Sequence, residues 1–333
     1  MSNSEPARRS DLDEYRRRLG PRDLMVLRND GNANGVLPQR FSAALNAYSK
    51  RHDYDRMLVL SEDMGFVLAG LLKLSRWTGD LHIIVHAGQG GRRRHMFRVT
   101  DGSIVANYIT FCERQRDILV HEVGISPDRA HALLNPVDTK FFDPSRVPSI
   151  AGSGGYVFSC GRENRDYRTL EQAAAQLDIP FVIQATGYFV EDDEGGDRPA
   201  NVEVRKERVS FERLRALYHE SLFTVVPLNP VDYAAGVNGI LEAMATGKAV
   251  IATQSPGMAE YMDGPGVRVV PPGDPNALAR AIKELQADPS LCADMGAVNR
   301  AWVTAHCDVS DYADKVAALM RTPRSGSIIQ GGQ

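Results

Sequence analysis

Gly236, Val237, Asn238 and Gly239, followed by a carboxylate at Glu242, make a pattern able to hold a phosphorylated ligand. Glycines at the mouth of a helix let a phosphate approach bare amide N–H groups, where the helix dipole is positive. Glu242 stands about two turns further in, so it could accept hydrogen bonds from a ribose while the amides hold phosphates. A tight loop and a helix cap would use the same residues. Burying Glu242 without a partner is costly, which favours a ligand-facing role. Four other segments could carry chemistry. His86 closes the apolar run Ile83–Val85 and is followed by Gly88, Gly90 and Gly91, which suggest an open loop. The charged loop Gly161–Asp166 contains Arg162 and Arg165; in the bland reading Arg165 simply pairs with Asp166 in solvent. Asn29–Gly35, with Gly31, Asn34 and Gly35, is either a ligand loop or an Asn/Gly turn. Arg92, Arg93, Arg94 and His95, with Arg98, form a basic cluster that could meet an anion or simply face solvent.

The elements that must position these groups alternate between strand-like and helix-like patterns, which predicts α/β architecture with mostly parallel sheets. In the first half, strands are expected at Leu24–Leu27, Arg56–Leu60, Leu81–Val85, Ile104–Thr110 and Ala130–Leu134. Helices are expected at Pro38–Arg51, Asp63–Thr78 and Cys112–Val123. In the second half, strands fall at Tyr156–Ser159, Phe181–Ala185, Phe223–Pro227, Ala249–Thr253 and Val267–Val270. The helices there are Tyr167–Gln176, Phe211–His219, Gly239–Ala245, Pro275–Ala287, Ser290–Ala305 and Val309–Met320. This divides the chain into a polar segment 1–20, domains over 21–140 and 141–308, a last helix 309–320 and a flexible tail 321–333.

At 333 residues the chain suits two domains, each with its own core. The 43% hydrophobic and 24% charged content is that of a globular protein, and a net charge of −3 gives no pull toward nucleic acid. Seven lysines stand against 32 arginines, and arginine is the better bidentate phosphate ligand. Cys112, Cys160, Cys292 and Cys307 are scattered, so neither a zinc cage nor a disulfide framework is indicated. The polar start and the absence of a long apolar run predict a cytoplasmic protein without a membrane span. No Walker loop occurs; Gly152–Gly155 precedes its strand, and Gly88–Gly91 lacks the third glycine of a dinucleotide loop.

The run Gly236–Ala249, reading G-V-N-G-I-L-E-A-M-A-T-G-K-A, resembles the retaining, family-4 type glycosyltransferases of the GT-B fold. Those enzymes read E-G-F-G-x-x-x-x-E-A-M-A-x-G-x-P-V-I there. Asn135-Pro136-Val137-Asp138 resembles their hinge, and Val270–Ala279 resembles their V-P-P-G-D-P-x-A-L-A. The resemblance is strong over 104–320 and weaker over 20–103. It implies two Rossmann-like domains with parallel sheets facing across a cleft. It also implies transfer of a sugar, with retention, from a nucleoside diphosphate sugar to a small hydroxylated acceptor or glycan.

In that family two cations after the first strand of the second domain hold the donor diphosphate, and Arg162 and Arg165 take their positions. His86 matches the histidine of V-x-x-H-G, which faces the transferred sugar and the acceptor. Gly187 and Val209 would border the base, and Gly31, Asn34 and Gly35 would lie near donor phosphate and acceptor. No metal and no separate cofactor are implied, nor any nucleic-acid partner. The chain departs from the pattern at Ala234, where the family has its first glutamate; the donor could be a deoxy or otherwise altered sugar, or Asp232 or Asn238 could replace the glutamate. The alternative is a degraded member acting as a nucleotide-binding or partner subunit. A phosphorylase would need a cofactor lysine, for which only Lys206 and Lys248 are placed.

Overall fold

The computed structural model describes residues 8–19, 26–27, 39–87, 91–102, 104–146, 155–185, 198–264 and 266–322. The chain divides into two compact units, one built from 10–134 and the residues after 309, the other from residues up to 9 and 135–309.

The first unit holds a five-stranded parallel sheet whose strands follow chain order: β1 (Val26–Leu27), β2 (Arg56–Val59), β3 (Asp80–Val85), β4 (Val105–Thr110) and β5 (Ala130–Ala132). Its helices are α1 (Asp11–Arg18), α2 (Gln39–Ser49), α3 (Glu62–Leu74), α4 (Gly91–Thr100) and α5 (Glu113–Asp117). Strand β4 is buried at every position, as expected where both faces of a parallel sheet are covered. Phe97 of α4 packs edge-on against Phe66 and Tyr108, with centroids 4.7 and 5.6 Å away.

The second unit holds a six-stranded parallel sheet in the order β11-β10-β9-β6-β7-β8. Its strands are β6 (Val157–Cys160), β7 (Phe181–Gln184), β8 (Val202–Arg205), β9 (Phe223–Val226), β10 (Val250–Thr253) and β11 (Val267–Val270). The helices are α6 (Tyr167–Ala174), α7 (Phe211–Glu220), α8 (Val237–Ala245), α9 (Ala259–Met262), α10 (Pro275–Ala287) and α11 (Pro289–His306). From β6 the chain winds out through β7 and β8, then returns to the other side of β6 at β9. Winding reverses between β6 and β9, the place in an open parallel sheet where ligands are usually met at the carboxyl ends of the strands.

A last helix, α12 (Val309–Arg321), belongs to the first unit from Ser310 onward. Its Tyr312 ring meets Phe111 and Tyr15, each centroid pair 6.4 Å apart. Arg18 Nε donates to Asp314 at 2.5 Å, and Asn107 Nδ2 to the Leu319 carbonyl at 3.2 Å.

Most expected strands and helices are present with ends shifted by a few residues. Four helices and strands were not anticipated: α1, α4, the edge strand β8 and the short helix α9. The expected single helix over Cys112–Val123 is instead α5 followed by a wide π-helical stretch, Ile118–Val123, closed at Gly124 with φ +93°. Ile118, Leu119 and Val123 are buried in this stretch. Of the glycines expected to form an open loop after His86, Gly88 and Gly90 lie outside the described residues and Gly91 opens α4, whose arginines are largely engaged. Arg94 pairs with Glu122, Arg98 donates to the Val123 carbonyl at 3.3 Å, and Arg93 lies 3.6 Å from Glu62. Among the described residues no helix is long and apolar enough to cross a membrane.

Candidate functional site

At the reversal between β6 and β9 the two departing loops are joined backbone to backbone. Arg165 forms a bridge with Leu228, the Asp166 amide donates to the Pro227 carbonyl at 3.1 Å, and the Asn229 amide to the Asn164 carbonyl at 3.0 Å. Side chains add to this: Tyr233 Oη donates to Glu163 Oε1 at 3.0 Å and accepts from Asn164 Nδ2. Arg165 is therefore fixed at its backbone before its side chain is considered.

Its guanidinium lies against the amino end of α8. Nε donates to the Cys160 carbonyl and Nη1 to the Glu163 carbonyl, both at 2.9 Å. A Cβ placed on Gly161 would sit 2.3 Å from Nη2, one on Gly236 2.8 Å from Nη1, and one on Gly239 3.3 Å from Nη2. Gly161 on one loop and Gly236 and Gly239 at the start of α8 thus leave room for a planar cation, Gly236 also for Leu228, whose Cδ2 would lie 2.6 Å from its Cβ. Two of them also have backbones that other residues rarely adopt, with φ +106° at Gly161 and +83° at Gly236. Nη2 has no hydrogen-bond partner among the described residues, and Arg165 has no ion pair there. Asp166, the partner suggested by the bland reading, instead caps α6 by accepting from the Thr169 amide at 3.0 Å. A cation with no ion pair among the described residues, beside the positive end of a helix, favours an anion at that point. Arg162, on the same loop, is exposed and has no ion pair or hydrogen bond among the described residues.

Gly161→Ala is expected to lower unfolding free energy by about 1–2 kcal/mol, because it puts a Cβ in a left-handed backbone and displaces the guanidinium. Denaturant unfolding measures this; an unchanged midpoint would mean that the loop yields freely.

Glu242 is buried on α8 and accepts from Tyr218 Oη through Oε2 at 3.1 Å. The same hydroxyl lies 2.8 Å from Cys160 Sγ. Oε1 has no hydrogen-bond partner among the described residues, which leaves an acceptor for a ligand. Burial pushes the carboxyl up to about 7, opposed by the charges of Arg8 and Arg165 and by the Tyr218 hydrogen bond. Cys160 is a small core residue, its thiol pushed up to about 12 by burial. Around this centre, Val237 and Gly239 are buried in the first turn of α8. Asn238 is exposed there, its Oδ1 accepting from Asn135 Nδ2 at 2.8 Å. Asp232 and Ala234 are half-buried in the preceding turn, and Val209 is half-buried just before Ser210, which caps α7. Gly187, Gly31, Asn34 and Gly35 lie outside the described residues.

His86 belongs to the first unit. It follows β3, is exposed, and its Nε2 lies 2.9 Å from the Leu60 carbonyl. Two side chains that sequence reasoning passed over shape its turn. The buried Glu62 carboxylate, at the start of α3, accepts from the His86 and Ala87 amides at 3.0 and 3.1 Å. Gln115 Nε2 donates to the His86 carbonyl at 2.8 Å. Tyr218 was missed as well, since an aromatic on an amphipathic helix reads as core. Lys248, weighed as a cofactor lysine, donates to the Ser221 carbonyl at 2.6 Å, and burial lowers its ammonium to about 8.

Residues 168–288, from α6 to the end of α10, match the family described as glycosyl transferases group 1. Among solved structures, the chain is similar to sucrose-phosphate synthase from Thermosynechococcus elongatus, with TM-score 0.70 and 19% identity over 88% of this chain and 82% of that one. It is also similar to HepE of Anabaena in complex with UDP and glucose, with TM-score 0.70 and 17% identity over 88% and 85% of the two chains. A UDP-forming trehalose-phosphate synthase from Burkholderia xenovorans gives TM-score 0.64 and 14% identity over 94% and 86%. These likenesses establish a common fold. A sequence search of curated proteins gives no match.

Proposed function

We propose that this chain, which has the GT-B fold and whose residues 168–288 match glycosyl transferases group 1, transfers a sugar from a nucleoside diphosphate sugar to a hydroxylated small molecule or glycan. The observation that carries the donor half is Arg165, seated on Gly161, Gly236 and Gly239 with Nη2 unbonded among the described residues. Departure of a nucleoside diphosphate develops negative charge, which Arg165, Arg162 and the free amides of the first turn of α8 would stabilise without reorganising. Glu242 Oε1 would accept from the ribose. HepE in complex with UDP and the UDP-forming synthase make UDP the first nucleotide to try.

In the retaining course that the family resemblance implies, the acceptor oxygen bonds to the anomeric carbon on the face from which the diphosphate leaves. The acceptor proton passes to the departing phosphate oxygen. His86 is proposed to orient acceptor and sugar, its turn held by Glu62 and Gln115. Calorimetric titration with UDP, ADP and GDP tests the donor reading, and binding of none of them overturns it. NMR of the product's anomeric proton tests retention.

Ala234 leaves the donor sugar without the family's first glutamate, and Asp232 or Asn238 is proposed to supply the missing acceptor. Loss of a charge-assisted hydrogen bond corresponds to roughly 1.5–3 kcal/mol. One of Asp232→Ala and Asn238→Ala is therefore expected to raise the KM for donor by about tenfold or more. If neither does, the substitution hypothesis fails and a partner-subunit role gains weight.

A further inference from the structure

Beside the edge strand β5 the first unit carries a cavity of about 500 Å3, walled by residues of α5, β5 and α12. None of the residues given a donor or acceptor role above lines it. Pro127, Leu133 and Leu319 make part of the wall apolar, while Arg116, His131 and Lys315 bring basic groups from three different elements. A concave site of this size, mostly apolar with a few convergent polar groups, is the usual form of a small-molecule pocket. Glu113 is the single acid among the lining residues. It pairs with Arg116 at 2.7 Å, a partly exposed contact that an incoming anion can rival. Lys315 is exposed and has no ion pair among the described residues.

His131 is oriented by a chain of hydrogen bonds that can run in one direction only. The Leu319 carbonyl can only accept, so the Asn107 atom 3.2 Å from it is Nδ2. The same Nδ2 donates to Nδ1 of the buried His82 at 3.1 Å. Asn107 Oδ1 is left facing His131 Nε2 at 2.8 Å, and that nitrogen must carry a proton. Neutral His131 therefore keeps its lone pair on Nδ1, which has no hydrogen-bond partner among the described residues. Partners that hold one ring nitrogen and leave the other are how proteins aim a histidine at a ligand. Burial holds the imidazole below its ordinary range, Arg116 adds to this, and Asp128 opposes it.

We infer that this cavity is a second ligand site, taking a small organic anion, a carboxylate or phosphate on a compact apolar body, between Arg116, His131 and Lys315. Arg116 and Lys315 meet the charged head, and the body lies against Leu133 and Leu319. His131 takes a proton from solvent at Nδ1 and donates it to the anion, keeping its Nε2 bond to Asn107. Because Lys315 and Leu319 belong to α12, occupancy also holds that helix beside β5. The groups that set the charge of His131 are Glu113 and Arg116 from α5, Lys315 from α12 and Asp128 from the turn ahead of β5, with His82 of β3 behind Asn107. Binding favours the protonated ring. Affinity is therefore full below the titration midpoint of the free imidazole and is lost as pH rises through that of the occupied one.

The test uses the full chain and three probes: benzoate, phenyl phosphate and the uncharged benzamide. Benzoate and phenyl phosphate are expected to bind and benzamide not, the tighter of the two anions naming the preferred head group. Benzoate, whose charge is constant over the range, should bind roughly tenfold more tightly at about pH 5.5 than at about pH 8. The His131 ring signal, followed by NMR, should titrate about one pH unit higher with benzoate saturating. Arg116→Gln and Lys315→Gln should each weaken benzoate by about five- to tenfold. His131→Gln, which still offers Asn107 a donor, should make the affinity independent of pH. Amides of α12 should exchange more slowly with benzoate bound. Failure of both anions to bind, or equal binding of benzamide, overturns the inference. Binding undiminished in both Arg116→Gln and Lys315→Gln places the anion elsewhere and overturns it too. A flat pH profile with an unmoved His131 signal removes the histidine from the site.

Discussion

Replacing Arg165 with alanine is expected to lower turnover by roughly two to three orders of magnitude, the usual cost of removing a preorganised group that stabilises developing charge. The side chain is well placed for this effect. Its backbone is bridged to Leu228, two of its nitrogens are held by carbonyls, and Nη2 lies against Gly161 and Gly239. Little reorganisation is left to be done when charge appears. Arg165→Lys keeps the charge but cannot donate to both the Cys160 and Glu163 carbonyls while reaching a phosphate, so an intermediate loss of about tenfold is expected. Donor hydrolysis and transfer rates should be measured beside thermal melts. A normal rate in Arg165→Ala at full stability would remove the guanidinium from the mechanism.

Glu242→Gln should change how both stability and donor affinity respond to pH. The folded carboxyl titrates at about 7 against an ordinary value of 4.5, so between those values the folded chain holds a proton that the unfolded chain has lost. Unfolding free energy attributable to this group therefore falls as pH rises through that window, by about 3 kcal/mol in total. Glutamine does not titrate, and the wild-type minus variant difference in unfolding free energy should decrease from about pH 5 to about pH 8. Donor affinity should move the opposite way. It rises in wild type as the carboxylate charges, and stays low and flat in the variant, roughly ten- to a hundredfold weaker above neutral pH. Parallel pH profiles for the two proteins would exclude Glu242 from the donor site.

Much of the architecture was legible because burial on both faces writes parallel strands as apolar runs. Phe223–Val226 and Val250–Thr253 are buried throughout and were placed nearly to the residue. Strand β8, reading V-E-V-R on a sheet edge, lacks that signal. Helix α1 was legible in principle: Ser10 caps it, acids open it and three arginines close it. Its polarity hid it, since the apolar face depends largely on Tyr15. The glycine–helix–carboxylate pattern of α8 could be read because those residues are neighbours in sequence. The seat of Arg165 could not. Gly161 and Gly236 meet one guanidinium only because β6 and β9 are adjacent, and strand order leaves no local trace. Tyr218 was hidden for the same reason, reaching Glu242 from a distant element.

The return of α12 to the first unit sets an order of manufacture. When the ribosome has finished Leu134, the five strands of that unit are complete, yet Tyr15 and Phe111 still lack Tyr312. At usual elongation speeds the missing helix emerges on the order of ten to forty seconds later. In the interval the other unit, nearly contiguous from Asn135 to Val309, can fold to completion. The half translated first is thus the half finished last, and a nascent chain arrested before Ser310 should present an apolar scar that chaperones would recognise.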